Sequence, residues 1–339
     1  MILHHNHKIL DRINLIQIIL QRMMATKNNK STRDWVKYNK ALVNRGKLTL
    51  FLAKDFTDTW YVKYDDASPR ARGGQAKYSE EAITSLLSLR FVFKLPLRAM
   101  EGLAQSLVKM AGADIDVPDY STLSIKLRDM KIKLPPVCKD SGGGHVASLD
   151  STGVKIHGQG EWNRKKHSQK DRRQWVKVHL IIDNDTMQIL GVESTADDVH
   201  NCEVFDQLVD VLPDKINKVL GDGAYDTLNA HKKSLENGIE LVALPRSNAV
   251  VDLKSTEPHI LRRNEHVLMY TETGIYAWAN KYGYWARNRA ESTMSRFKTT
   301  FSGSLSSRKI KSQKNEIALK CKILNMSAGP AMSSLDNAA

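Results

Sequence analysis

The residue pattern predicts an α/β fold, a mixed sheet with flanking helices preceded by a mostly helical segment. Three observations predict it. Runs 145–156, 174–182 and 188–193 alternate polar and apolar residues as strands do, and a turn-forming Asp183-Asn184-Asp185 separates the last two. A helically spaced run, 204–212, then leads into an apolar run, 216–220. Ahead of these, residues 79–128 carry three stretches of helical periodicity.

Taken in order, residues 1–24 end in the tandem Met23-Met24. That leaves two readings: translated sequence upstream of a native start, or a short amphipathic helix over 9–20 interrupted by Asp11, Arg12, Asn14 and Gln17. Residues 26–33 are polar and basic through Lys27, Lys30 and Arg33, an arm that is either solvated or laid along DNA. After a loop at 68–74, Ser79 with Glu80 and Glu81 starts a helix carrying Ile83, Leu86, Leu87 and Phe91. A second follows Pro96 through Leu97, Met100, Leu103, Leu107 and Met110. A third is introduced by Asp119-Tyr120-Ser121-Thr122 and carries Leu123, Ile125, Lys126, Leu127 and Arg128. Three short helices with a capped, basic last member have the layout of a helix-turn-helix, or of a plain helical bundle; on the first reading Lys126 and Arg128 contact DNA. Residues 25–140 are expected to form a helical DNA-binding domain.

Turn formers at 134–144 mark a boundary, and the triple glycine there lacks the Gly-Lys-Ser/Thr ending of a phosphate-binding loop, which argues against NTPase chemistry. Beyond it, strand 145–156 carries Asp150 at its middle, Asp183 and Asp185 read as turn formers, and 216–220 delivers Asp222. Three strands, a helix, a strand and later helices form the arrangement of an RNase H-like domain, expected over 141–325. Within it, 237–281 is longer than the bare fold needs, and its pieces 240–244, 266–270 and 275–280 read as a small inserted sheet. Trp278 and Trp285 are read as core residues, with base stacking as the alternative. Asp226 reads as a helix cap, His200 as a local hydrogen-bonding residue, and 326–339 as a flexible tail.

The charge balance points to a partner. A formal charge of +14 and a pI near 9.5 over 339 residues suggest nucleic acid, although surface lysine can also serve solubility alone. Cys138, Cys202 and Cys321 lack any C-x-x-C spacing, so neither a zinc module nor a disulfide framework is indicated, and a reducing cytosol fits. No stretch approaches the ~20 apolar residues that span a bilayer. Arg164, Lys165, Lys166, Lys170, Arg172 and Arg173 interrupt the strand pattern, as a basic loop beside the site or a solvated hairpin.

Tyr284, Arg287, Glu291 and Lys298 are spaced three, four and seven residues apart, so on a helix turning about 100° per residue they face one way. Asp150 and Asp222 each follow a short apolar run. Side by side at the sheet centre, with Glu291 lowered onto them by a crossing helix, the three carboxylates would repel and drive one to protonate unless a divalent cation neutralised them. Oxygen ligands of this kind suit Mg²⁺ or Mn²⁺. Two ions roughly 3.5–4 Å apart can serve both oxygens of a phosphoryl transfer, and Asp222 would be the bridge if two ions bind together. Singly, each acid has a plain structural reading: Asp150 could cap a turn, and Glu291 could pair with Arg287 at i−4. Tyr284, Arg287 and Lys298 are read as DNA contacts, and Arg289, Arg296, Arg308, Lys309 and Lys311 extend a basic surface around them.

The pattern Tyr-x₂-Arg-x₃-Glu-x₆-Lys, complete here as Tyr284, Arg287, Glu291 and Lys298, resembles the signature of the DDE transposases of bacterial insertion sequences. Ser148-Leu149-Asp150-Ser151-Thr152 resembles that family's first aspartate motif, and Gly221-Asp222-Gly223-Ala224-Tyr225-Asp226 its second; Tyr38-Asn39-Lys40-Ala41-Leu42 and Leu95-Pro96-Leu97-Arg98 are similar too. The likeness spans most of 33–325, and the group it resembles is the insertion sequence 5 family. It implies an RNase H-like catalytic fold that binds double-stranded DNA at terminal inverted repeats and at a target. It further implies strand cleavage and transfer by water or a 3′-hydroxyl, a homodimer joining two ends, and a bacterial, cytoplasmic, nucleoid-associated setting. Two other classes stay open: a non-catalytic DNA-binding regulator derived from such an element, and an RNase H-like nuclease without strand transfer.

Overall fold

A computed structural model describes residues 35–328 except 45, 53–54, 65–72, 135–144, 157–174 and 197–198. The expectations for 1–24, 26–33, Cys138, the basic cluster 164–173 and the tail beyond 328 lie outside these residues.

Ahead of the sheet come α1 (Trp35–Asn44), α2 (Glu80–Val92), α3 (Leu97–Met110) and α4 (Tyr120–Asp129). The start signals act as expected. Ser79 Oγ accepts the Ala82 N–H at 3.0 Å, and one Asp119 oxygen accepts those of Ser121 and Thr122 at 2.8 Å each. Strands β1 (His145–Ile156), β2 (Trp175–Asp183) and β3 (Ile189–Ala196) form an antiparallel meander. After α5 (Phe205–Asp210), β4 (Ile216–Gly221) lies parallel to β1; after α6 (Leu228–Glu236), β5 (Glu240–Ala243) lies parallel to β4. The order β3-β2-β1-β4-β5, with the short β6 (Ser304–Leu305) beside β1, is the RNase H-like arrangement.

Alternation along the strands splits the core in two. Ala147, Leu149, Ile181, Val219 and Leu241 pack with Phe205, Leu208 and Tyr225 on one face. Val154, Val178, Leu180 and Ile182 face the other way, into a cluster shared with α8 (Asn288–Phe301) and α9 (Ile310–Ala328). Leu86, Met100 and Leu123 belong to that same cluster. The helical segment therefore packs against α8 and α9, which share that cluster, and α4 is tied down further: Asn315 Nδ2 donates to the carbonyls of Leu127, Arg128 and Met130 at 2.8–2.9 Å. Buried Lys320 pairs with buried Glu316 at 2.7 Å, and Glu316 also accepts the Ser306 and Ser307 N–H groups, which fixes β6 against α9.

The inserted sheet does not form. Residues 240–243 join the main sheet as β5, and 266–270 and 275–280 are both helical, within α7 (Pro258–Tyr282). Pro258 occupies the first helical turn, where its missing N–H costs nothing. At Gly274 (φ 78, ψ 172) the helix breaks, and the two halves fold against each other so that the rings of His266 and Tyr282 lie 4.1 Å apart. The tertiary contact that rewards this hairpin joins residues sixteen apart, which short-window alternation cannot register.

Candidate active site

Asp150 has the same parity along β1 as Val154, so it points toward the face that α8 covers. In the parallel pairing of β1 with β4, Ser148 stands opposite Leu220; continued two residues, that register brings Asp150 opposite Asp222. Asp222 follows the last residue of β4 and caps the short 3₁₀ turn Gly223–Tyr225, one oxygen accepting the Ala224 N–H at 2.9 Å. Glu291 enters from the first turn of α8, whose stripe of Ala290, Met294, Phe297 and Phe301 is buried.

Tyr284 and Arg287 do not share that α-helix. They form a separate 3₁₀ turn, Tyr284–Arg287, entered through Gly283 at φ 70. This shorter turn buries Tyr284 against Trp278, ring centroids 4.9 Å apart, and leaves Arg287 among the acids. Arg287 Nη2 donates to Glu291, and Nη1 lies 3.8 Å from Asp150 Oδ1. Burial works against the guanidinium, but Tyr284, Glu291, Asp150 and Asp222 together hold its pKa above the ordinary value. Burial pushes the Asp150 carboxyl up; the Ser151 N–H and Arg287 oppose this, while Asp222 and Glu291 reinforce it. Burial likewise raises the Tyr284 phenol and, with Asp222 and Asp150, that of Tyr225.

The donor set fits a hard divalent cation. Asp222 and Glu291 lie near enough to Asp150 to act on its charge, with the Arg287 guanidinium against it, and the half-buried Asp150 carboxyl already resists ionisation. The three carboxylates are not drawn tight: among the described residues, only His145, Asp183 and Asp185 bring ligand atoms all within 4.8 Å of one another. That second cluster carried no sequence signal. His145 Nδ1 is 3.4 Å from Asp185, yet Asp183 Oδ1 accepts the Asp185 N–H at 2.7 Å, the expected turn role, and Arg289 Nη1 stands 3.9 Å from Asp185.

Of the expected basic contacts, Lys298, Arg308 and Lys309 are exposed. Arg296 is not open in that way: its guanidinium is part-buried and donates to the Met187 carbonyl at 3.2 Å, anchoring α8 to the β2–β3 turn. Lys126 is half-buried on α4, and Arg128 pairs with Asp129 at 2.7 Å. Trp278 is core as expected, but Trp285 is 42% exposed, held by Asn280 at 2.9 Å. Asp226 is no cap, since Thr227 Oγ1 takes that place on α6 by accepting the Ala230 N–H. Among the described residues no helix is long and apolar enough to cross a membrane.

Residues 141–326 match the family described as transposase DDE domain, and residues 43–159 match a second family of the same description. Among solved structures, the chain is similar to a pre-cleavage Mos1 transpososome (11% identity, 71% of this chain and 84% of that one, TM-score 0.22). It is also similar to the Drosophila P element transposase strand transfer complex (10%, 75% and 80%, 0.28) and a piggyBac transposase synaptic complex with hairpin DNA (9%, 85% and 81%, 0.27). Overlaps this loose assign no activity. The first family match covers more than half of the chain, and the protein is a member of the DDE transposase family.

Proposed function

We propose that this transposase, of the insertion sequence 5 group, binds the terminal inverted repeats of its element and carries out divalent-metal-dependent strand cleavage and strand transfer. One observation carries the reading. Asp222 at the exit of β4 and Glu291 in the first turn of α8 both act on the charge of Asp150 in mid-β1, and all three act on Arg287, which supports this reading. Asp150, Asp222 and Glu291 would hold Mg²⁺ or Mn²⁺, two ions in the full site; such ions, when bound, offset charge at the phosphate and at the attacking and leaving oxygens.

The chain's own part is placement. Asp150 is half-buried in a central strand, whereas Glu291 is 53% exposed and paired with Arg287. Arg287 and the hydroxyl edge of Tyr284 would receive the terminal phosphate, and Lys298, Arg308 and Lys309 would follow the backbone outward. Lys126 and Arg128 would add contacts from α4. A homodimer would pair two ends, in the bacterial cytoplasm at the nucleoid.

A supercoiled plasmid carrying matched terminal repeats tests this with Mg²⁺ and with Mn²⁺. Nicking and joining are expected, both lost in Asp150→Ala, Asp222→Ala and Glu291→Gln while end binding stays nearly intact. No reaction with either ion would indicate a DNA-binding regulator; cutting without joining would indicate a nuclease.

A further inference from the structure

Asp222 stands at the head of a turn rather than inside a strand, so the direction of its carboxylate is the turn's to decide: Oδ1 is fixed by the Ala224 N–H at 2.9 Å. Two arginines outside the carboxylate set hold that turn. Arg246, just past β5, donates Nε to the Gly223 carbonyl at 2.8 Å and Nη2 to the Ala224 carbonyl at 3.0 Å. Its own N–H reaches Asp226 Oδ2 at 3.4 Å. Arg263, from the α7 hairpin, closes a two-pronged pair on the same Asp226, Nε to Oδ1 at 2.8 Å and Nη2 to Oδ2 at 3.0 Å, and His231 Nε2 adds a contact at 3.2 Å.

Asp226 is 4% exposed, and burial alone would raise its carboxyl, yet His231 and Arg263 pull it down to about 2. The far end of the turn is thus a buried, ionised, fully gripped anchor. The near end is tightly packed: a Cβ on Gly223 would meet the Leu244 carbonyl at 3.2 Å, and one on Gly221 the Tyr225 ring at 3.1 Å.

We propose that Arg246 and Arg263 are positioning residues for Asp222, one forked onto the two carbonyls that follow it and the other clamping Asp226 behind them. The inference rests on the reading of Asp222 as a metal ligand. Neither arginine reaches the reacting atoms. A guanidinium spans two acceptors in a fixed plane, which a lysine ammonium cannot do. Arg246 is exposed, so its loss would let the turn relax toward water at small cost to folding while the carboxylate loses its aim. Groups that orient metal ligands typically change metal affinity by about 10–100-fold, and a contact one step removed belongs at the lower end.

Mn²⁺ binding to the full chain without DNA, followed by electron paramagnetic resonance alongside melting temperature, tests this. Arg246→Ala should weaken Mn²⁺ binding about ten-fold with little change in melting temperature, and Arg246→Lys should recover only part of the loss. In an Asp222→Ala background, Arg246→Ala should weaken it no further. Arg263→Lys should act as Arg246→Ala does; should it fail to fold, Arg246 decides. Unchanged binding in Arg246→Ala, or an equal loss in the Asp222→Ala background, overturns the positioning role while leaving Asp222 a ligand. Unchanged binding in Asp222→Ala itself overturns the ligand reading instead.

Discussion

Removing the Arg287 side chain should tighten, not weaken, divalent-metal binding by the free protein. The guanidinium lies 3.8 Å from Asp150, and the two side chains are 16% and 18% exposed. A unit pair at that distance is worth roughly 1 kcal/mol in bulk water and roughly 4 kcal/mol at an effective dielectric of 20. This pocket falls between those limits, so about 2 kcal/mol is reasonable; the Glu291 pair, with that carboxylate half exposed, adds little. A cation entering the carboxylate set must overcome this prior pairing whether Arg287 swings away or stays and repels it. Arg287→Ala should therefore raise Mn²⁺ affinity about ten- to thirty-fold. The measurement is a calorimetric or paramagnetic-resonance titration at low ionic strength without DNA. Lys298→Ala, which removes an exposed cation from α8, the helix that carries Glu291, controls for the general field. Adding a terminal-repeat duplex should narrow the gap between wild type and Arg287→Ala, because phosphate then takes up the guanidinium and metal and DNA bind with mutual help. Unchanged or weakened Mn²⁺ binding in free Arg287→Ala would refute the reasoning and make Arg287 a gatherer of the carboxylates rather than their competitor.

Glu316→Gln should cost about 3–5 kcal/mol in urea unfolding, since it strands the buried Lys320 ammonium, whereas replacing both by Leu and Met should cost less, the remainder coming from the Ser306 and Ser307 N–H groups that lose their acceptor. Burial holds His266 at about 4, and its Nδ1 accepts the Trp278 N–H, so the neutral ring is the folded form. With the folded pKa below the ordinary 6.5, its stabilising effect is complete above pH 6.5 and is lost as pH falls toward 4, at about 1.4 kcal/mol per pH unit. His266→Phe should flatten the urea midpoint between pH 7 and 5 in part, with His179, also held at about 4, keeping its share of the slope; an unflattened slope would count against it. Gly274→Ala should lower stability by about 1–3 kcal/mol through backbone strain alone, because a Cβ there meets nothing within 4 Å. Gly102→Ala, equally open but helical, should instead raise the melting temperature slightly.

Much of the catalytic fold could be read locally. Strand alternation and the turn acids Asp183 and Asp185 located β1 and β2 within a residue and β3 within three, since half-buried strands write their two faces directly into the chain. Caps at Ser79 and Asp119 marked two helix starts for the same local reason. The helix-period argument for Tyr284 to Lys298 held only from Asn288 onward; the 3₁₀ turn before it owes its form to Tyr284 packing on Trp278, a contact between separate elements. The α7 hairpin was hidden for a like reason.

By itself the amino-acid order determined the strands, the caps and which acids and cations are available, because those depend on neighbours within a few residues. Only the tertiary structure decided that Arg287 sits against Asp150, that Arg296 is tied to the Met187 carbonyl, and that Arg246 and Arg263 grip the turn beyond Asp222. A guanidinium finds its acceptor through space, across 23 residues between Gly223 and Arg246 and over a hundred between Met187 and Arg296. No pattern along the chain encodes which carbonyl or carboxylate that will be.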